Sequence, residues 1–349
     1  MARRIVICAA QIPFERGGAE LLVESLRDEL VRRGHQVEII GLPFKWYPKN
    51  EIIKSCLAWR FLDLTESNGR PIDLVIGTKF PSYAAWHPNK VVWLVHQYRQ
   101  VYDLAETKYD DLADDPEAPR FRAMIRRIDR QVLGEARQRF TIADNVSQRL
   151  MRFNQLPSTP LYPPPPLDGR YHCSDYGDFI LTVGRLDPLK RVDWLVRAMA
   201  LTQSPARCLV AGSGPEQNRL EALARQLDVA GKVKFLGRVS DEELLDLYAR
   251  CLAVYYAPYD EDYGYVTIEA FKSQKPVLTA DDSGGVLEFV RDREMGFVLP
   301  PNHERQLAAR IDQLYEDREL ARAQGLAGLA QVESVTWDRV ISNLLNNPA

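Results

Sequence analysis

The stretch Tyr162-Pro163-Pro164-Pro165-Pro166-Leu167-Asp168, followed by Phe179-Ile180-Leu181-Thr182-Val183-Gly184-Arg185-Leu186-Asp187-Pro188-Leu189-Lys190-Arg191, decides how the chain is divided. Four consecutive prolines fit neither a helix interior nor a central strand. They favour stiff polyproline II, so residues 157–166 read as a linker. Beyond it, a five-residue apolar run ends in a glycine and a cation-bearing loop, the pattern of a buried parallel strand feeding a helix.

Outward from this point the same alternation runs both ways. Before the linker, Ile5 to Ala10, Val37 to Ile40, Ile72 to Gly77, Lys90 to His96 and Phe140 to Ala143 read as strands. Leu21, Leu22, Leu26 and Leu30 keep helical spacing, and Gly34 stops that helix. Phe121, Ile125, Ile128 and Val132 mark a second, amphipathic helix. After the linker, Cys208 to Ala211, Val233 to Leu236, Leu252 to Tyr256 and Pro276 to Ala280 continue the strands, and Ser240 with Glu243 forms a capping box. Strand–helix alternation implies parallel sheets covered by helices on both faces. The expected fold class is therefore α/β, with two doubly wound domains at 1–168 and 169–334. Ligands of such sheets sit at the carboxyl ends of the strands, and the cleft between two domains is the default site.

Composition agrees with two domains. The chain has 349 residues, 46% hydrophobic and 27% charged, with 45 Lys plus Arg against 48 Asp plus Glu for a net charge of −3. That excludes a disordered chain, a coiled-coil rod and a collagen repeat, and argues against a basic nucleic-acid binder. No apolar run approaches the length of a membrane span, and no signal peptide is visible at the start. Cys8, Cys56, Cys173, Cys208 and Cys251 are scattered and read as buried thiols in a reducing compartment. Metal-ligand spacings are absent, so no metal is expected.

Six constellations could carry chemistry. Gly17-Gly18-Ala19-Glu20 follows the first strand and is either a tight turn or a backbone that approaches an anion. In Gly184 to Arg191, Arg185 offers a fork and Lys190 a point charge for a diphosphate. In Glu261-Asp262-Tyr263-Gly264-Tyr265-Val266-Thr267-Ile268-Glu269, Glu261 is expected in a loop and Glu269 in a first helical turn, where the dipole would stabilise it. Asp282-Ser283-Gly284-Gly285-Val286 opens another helix with backbone amides, and Gly212-Ser213-Gly214-Pro215-Glu216 has a similar shape but reads first as structural. His96 ends a strand and precedes a polar segment, Gln97 to Gln100, that reads as sugar-facing. The basic run Arg120 to Arg139 is either a membrane-contacting helix or a solvated face.

Taken in order, the Gly-Gly loop, His96, the proline linker, Gly184 to Arg191, Gly212 to Glu216, the Glu261/Glu269 spacing and Ser283 to Glu288 resemble retaining glycosyltransferase family 4, of the GT-B fold. The resemblance covers nearly the whole chain. It implies two Rossmann-like domains facing each other across a cleft, an N-terminal acceptor domain onto which a helix at about 335–349 crosses back, and a C-terminal domain for a nucleotide-sugar donor. By resemblance, Arg185 and Lys190 bind the donor diphosphate, Glu269 the ribose hydroxyls, and Glu261 the transferred sugar. His96 lies near the reacting centre, and Gly17 and Gly18 approach the donor phosphate. Gly184, Gly212, Tyr263, Gly264, Tyr265, Val266, Gly284 and Gly285 complete the donor site. One departure is the linker, where Tyr162 to Asp168 lacks the Asn-Gly pair of many members.

The implied activity is that of a retaining hexosyltransferase. It would use GDP-mannose or a UDP-sugar without a bound metal or other cofactor, and act on a glycan or lipid-linked acceptor in bacterial surface polysaccharide biosynthesis. The implied location is cytoplasmic, with possible peripheral membrane contact. A sugar-nucleotide epimerase and a non-catalytic sugar-nucleotide binding protein stand as alternatives.

Overall fold

The computed structural model describes residues 2–14 and 16–346. Two compact units divide the chain, Met1–Pro166 with Thr336–Ala349, and Leu167–Val335.

In the first unit, β1 (Arg4–Gln11) leads into α1 (Gly18–Arg32), then β2 (Gln36–Pro43) and α2 (Lys49–Arg60). A two-stranded hairpin, β3 (Glu66–Ser67) and β4 (Arg70–Pro71), precedes β5 (Leu74–Gly77), β6 (Lys90–Leu94), α3 (Ala118–Gly134), β7 (Gln138–Thr141), α4 (Asp144–Asn154) and β8 (Thr159–Pro160). The main sheet has the order β2-β1-β5-β6-β7-β8 and is parallel throughout. Its direction of winding reverses between β1 and β5, so loops at the carboxyl ends of those two strands diverge and leave room for a ligand.

The linker reading needs correction here. Thr159 and Pro160 pair with Phe140 and Thr141 as the sheet's edge strand, where a proline's missing N–H is tolerated. Pro163, Pro164 and Pro165 are buried. The boundary also falls two residues before 168/169, and Asp168 pairs with Lys272 of the second unit at 2.6 Å.

In the second unit, β9 (Phe179–Val183), α5 (Val192–Met199), β10 (Arg207–Ala211), α6 (Gln217–Gln226), β11 (Val233–Gly237), α7 (Asp241–Arg250), β12 (Ala253–Tyr255), α8 (Tyr265–Lys272), β13 (Val277–Ala280), β14 (Gly296–Leu299), α9 (Glu304–Glu316) and α10 (Arg318–Val332) follow in turn. The sheet order is β11-β10-β9-β12-β13-β14, again all parallel, which is the Rossmann order with its reversal between β9 and β12. α5 shows what holds it. Val192, Leu195, Val196, Ala198 and Met199 are all at most 5% exposed in a core shared with β9, β10 and α9, and each of the large ones contributes roughly 1.5–3 kcal/mol.

α11 (Trp337–Leu345) belongs to the first unit. Trp337 meets Trp93 edge to face at 6.3 Å, Asp338 pairs with Arg33, and the Leu345 carbonyl accepts from Arg3 at 2.7 Å. Residues 347–349 of the helix expected at 335–349 lie outside the described residues. Four cysteines are buried, but Cys173 is half-exposed, and all five are free.

Candidate functional site

Three loops meet beside the reversal point of the second sheet: the first after β9 (184–191), the second after β12 (256–264) and the third after β13 (281–285). The loop after β9 is braced from beneath by residues 212–216. Gly184 N donates to the Ala211 carbonyl (3.0 Å), Leu186 N to Ser213 (3.0 Å) and Glu216 N to Leu186 (3.0 Å). Gly212, at φ +140°, is so close that any Cβ there would strike the Gly184 carbonyl. Gly212 therefore shapes the loop from behind.

Arg191 ties the three loops together, and nothing in the local sequence singled it out. It is 4% exposed. Its guanidinium donates to the carbonyls of Ala257 (2.7 Å) and Pro258 (2.6 Å) and, through both terminal nitrogens, to the two Asp282 oxygens (2.8 and 2.6 Å). It also lies 4.2 Å from the Trp194 ring centre. A planar fork suits this bidentate geometry in a way that an ammonium does not.

Lys190 precedes it and turns toward the second loop. Its ammonium pairs with Glu261 and lies 3.3 Å from the Tyr256 hydroxyl, which itself donates to Glu261 Oε2 at 2.9 Å. Burial would lower the Lys190 pKa, but the Glu261 carboxylate outweighs it and holds the pKa above its ordinary value. Lys190 therefore stays cationic at any working pH. Arg185, in the same loop, is exposed.

The third loop is zipped to the second. Asp260 N donates to Asp282 O (2.9 Å), Glu261 N to Ser283 O (3.2 Å) and Gly285 N to Glu261 O (2.7 Å). Gly284 sits at φ +61°, ψ −127°, and a Cβ there would lie 2.6 Å from the Glu261 carbonyl oxygen and 2.7 Å from Asp260 Oδ1. Lys190, Glu261, Tyr256, Gly284 and Gly285 are thus one connected unit: a cation, a carboxylate and backbone amides at strand ends, an arrangement able to receive phosphate and sugar oxygens.

Glu269 departs from the expected first-turn position. α8 starts at Tyr265, capped by Gly264, so Glu269 is its fifth residue and lies beyond the reach of the N-terminal dipole. It is 8% exposed, and its Oε2 accepts from the Tyr248 hydroxyl at 2.6 Å. Burial pushes its carboxyl up, against the Tyr248 and Tyr171 hydroxyls that lower it. Tyr263 and Val266 are buried, and the Tyr263 ring packs edge to face on Tyr265 (5.4 Å) and Phe289 (5.7 Å). Tyr263 thus backs the loop.

In the first unit, Gly17 and Gly18 open α1, and Gly17 N donates to Glu20 Oε2 at 2.9 Å. Glu20 also pairs with the buried Lys79, which follows β5 at the reversal point. His96 stands two residues past β6; its carbonyl accepts from Phe80 N at 3.1 Å, which places it beside the segment after β5. The segment following it is not sugar-facing as a whole. Gln97 is fully buried and donates to Asn154 (2.9 Å) and Asp129 (3.3 Å), Tyr98 stacks on Phe80 at 5.7 Å, and Arg99 bonds Asp103 at 2.6 Å.

The basic run also changes. α3 ends at Gly134, Arg137 lies beyond it and Arg139 belongs to β7. Arg122 pairs with Asp110 (2.5 Å), Arg126 donates to the Val101 carbonyl (2.7 Å), Arg137 to Asn89 (3.1 Å) and Arg139 to the Pro157 carbonyl (3.0 Å). Four of its arginines are therefore engaged within the unit. Among the described residues, no helix is long and apolar enough to cross a membrane, and no three His, Cys, Asp or Glu side chains cluster as metal ligands.

Comparison with known proteins bears on both units. Residues 174–329 match the family described as glycosyl transferases group 1. The chain is similar to the D-inositol 3-phosphate glycosyltransferase of Nocardia farcinica, 34% identical over 175 residues; the match spans 47% of this chain but only 39% of that protein. It resembles the solved structure of sucrose-phosphate synthase from Thermosynechococcus elongatus (TM-score 0.76, 20% identity, 98% of this chain and 97% of that one). It also resembles Anabaena Alr3699/HepE in complex with UDP and glucose (TM-score 0.69, 19% identity, 98% and 97%). At these identities the structural likeness is one of fold, GT-B.

Proposed function

We propose, for a chain whose residues 174–329 match the family described as glycosyl transferases group 1, that it moves a hexose from a nucleoside-diphosphate sugar to a glycan or lipid-linked acceptor, with retention at the anomeric carbon. The observation that carries this reading is the connected set Lys190, Glu261, Tyr256, Gly284 and Gly285 at the reversal point of the second sheet. When a nucleoside diphosphate leaves a sugar, negative charge grows on phosphate oxygens and positive charge on the sugar. A lysine locked in its cationic state, the nearby Arg185 and preorganised amides stabilise the first. Glu261, already aligned by Tyr256, is assigned to a sugar hydroxyl as the incoming diphosphate competes for Lys190. Glu269 is assigned to the ribose, and His96, at the strand ends of the first unit, to the acceptor side.

Neighbours of the same fold were solved with UDP and with UDP-glucose, which supports a UDP-sugar as the first donor to try, with GDP-mannose second. A role in surface polysaccharide assembly inside the cell, at or near the membrane, follows from the family likeness. No metal is assigned a role, so activity should persist in excess EDTA.

The test is a donor panel with purified protein, read as released nucleoside diphosphate and as product configuration by proton NMR. Transfer with retention supports the proposal. An epimerised donor with no glycosylated acceptor would make it an epimerase, and tight binding without turnover a binding protein.

A further inference from the structure

Glu269 reaches its position through an unusual environment. The carboxylate is buried, and three tyrosines from three different segments interact with it: Tyr171 after the linker, Tyr248 of α7 and Tyr265 of α8 itself. Tyr248 is fully buried, and its hydroxyl donates to Glu269 Oε2 at 2.6 Å, the short distance of a charge-assisted bond. The Tyr171 ring holds the Tyr248 ring edge to face at 5.9 Å, so Tyr248 has little freedom to turn away. The Tyr171 and Tyr265 hydroxyls are buried without a hydrogen-bond partner of good geometry. Polar groups left in that condition are costly, and they mark a place where hydroxyls of a ligand or water complete the network.

A glutamate side chain with one oxygen fixed presents the other in a defined direction. A carboxylate accepting from vicinal hydroxyls needs that definition, because a bidentate contact loses most of its strength when the acceptor rotates. α7 lies outside the motif that carries Glu269, and 21 residues separate Tyr248 from it in sequence.

We propose that Tyr248 is a positioning residue for the ribose contact, orienting Glu269 so that its free oxygen meets the ribose hydroxyls of the donor nucleotide. This rests on the assignment of Glu269 to the ribose made above. Tyr248 itself touches no substrate; it acts through Glu269.

The test measures binding of UDP and GDP, each beside its 2′-deoxy counterpart, by calorimetry on the whole protein. Wild type should bind the ribonucleotide at least about tenfold tighter than the deoxy form, the scale of one charge-assisted hydrogen bond. Tyr248→Phe should weaken ribonucleotide binding about tenfold and leave deoxynucleotide binding unchanged, so that the gap closes. Tyr171→Phe, which removes a second hydroxyl beside Glu269 that makes no hydrogen bond of good geometry to it, should close the gap less than Tyr248→Phe does; equal closing would assign the effect to loss of any neighbouring hydroxyl and overturn the positioning role. A purely structural role for Tyr248 would weaken both nucleotides alike. If wild type shows the gap and Tyr248→Phe keeps it, the positioning role is wrong while the Glu269 assignment stands. If wild type shows no gap, or binds no nucleotide, the Glu269 assignment fails and the inference falls with it.

Discussion

Gly284→Ala is the smallest change that strikes the site's framework. The residue sits at φ +61°, ψ −127°, a region that side chains avoid, at a cost of about 1–3 kcal/mol. The new methyl would lie 2.6 Å from the Glu261 carbonyl, so the two loops must part by about 0.8 Å to restore a 3.4 Å contact. That movement breaks the 2.7 Å bond from Gly285 N to the same carbonyl, about 0.5–1.5 kcal/mol more. The total, roughly 2–4 kcal/mol, falls on the loop that aims Glu261 at Lys190. If about 2 kcal/mol of it appears in binding, nucleotide affinity falls some thirtyfold, with a loss of a few degrees in Tm from the remainder. Isothermal titration of nucleoside diphosphate into wild type and Gly284→Ala, with thermal unfolding alongside, measures both. Affinity within twofold of wild type would show that the Glu261–Gly284 contact does not shape the donor site.

Three further outcomes follow from the same geometry. Lys190→Ala should reduce transfer at least a hundredfold with circular dichroism unchanged; near-normal turnover would remove the lysine from the diphosphate site. Arg191→Lys keeps the charge but loses the fork, so it should behave almost like Arg191→Met, with a raised donor KM and a lowered Tm; a Lys variant equal to wild type in both would contradict the clamp. Asp129 is fully buried, and burial pushes its carboxyl up to about 7, against hydrogen bonds from Tyr102, Tyr83 and Gln97 that lower it. The folded state then binds the proton more tightly than the unfolded one. The contribution of Asp129 to stability is therefore complete below about pH 4 and is lost as pH rises toward 7, by up to about 1.4 kcal/mol per unit. Denaturation at pH 5 and pH 8 should show wild type losing stability relative to Asp129→Asn, and parallel behaviour of the two would refute it.

The two-sheet fold was legible because buried parallel strands announce themselves as short apolar runs, and each ends in a glycine or polar loop. Lys190 and Glu261 were legible for the same reason, as polar residues at strand ends. Arg191 was not, because its burial depends on Asp282, 91 residues away, and a Lys-Arg pair read locally looks solvated. Glu269 was placed too early in its helix because the seven-residue spacing from Glu261 does not say where the turn ends; Gly264 does, by capping α8 at Tyr265. The arginines of 120–139 looked like one face, yet the helix stops at Gly134 and most of their partners come from loops far along the chain. α4 is not legible in the sequence because Asp144-Asn145-Val146-Ser147-Gln148-Arg149 carries few apolar residues to set a period.

Under the proposed function, the Lys190–Glu261 cluster binds the nucleotide donor from which sugar is transferred. The most direct measurement is release of nucleoside diphosphate from UDP-sugars and GDP-mannose, with acceptor present, by wild type and Lys190→Ala in parallel. Acceptor-dependent release by wild type, lost in the variant, is the predicted result. No release from any donor, or release that Lys190→Ala leaves intact, would contradict it.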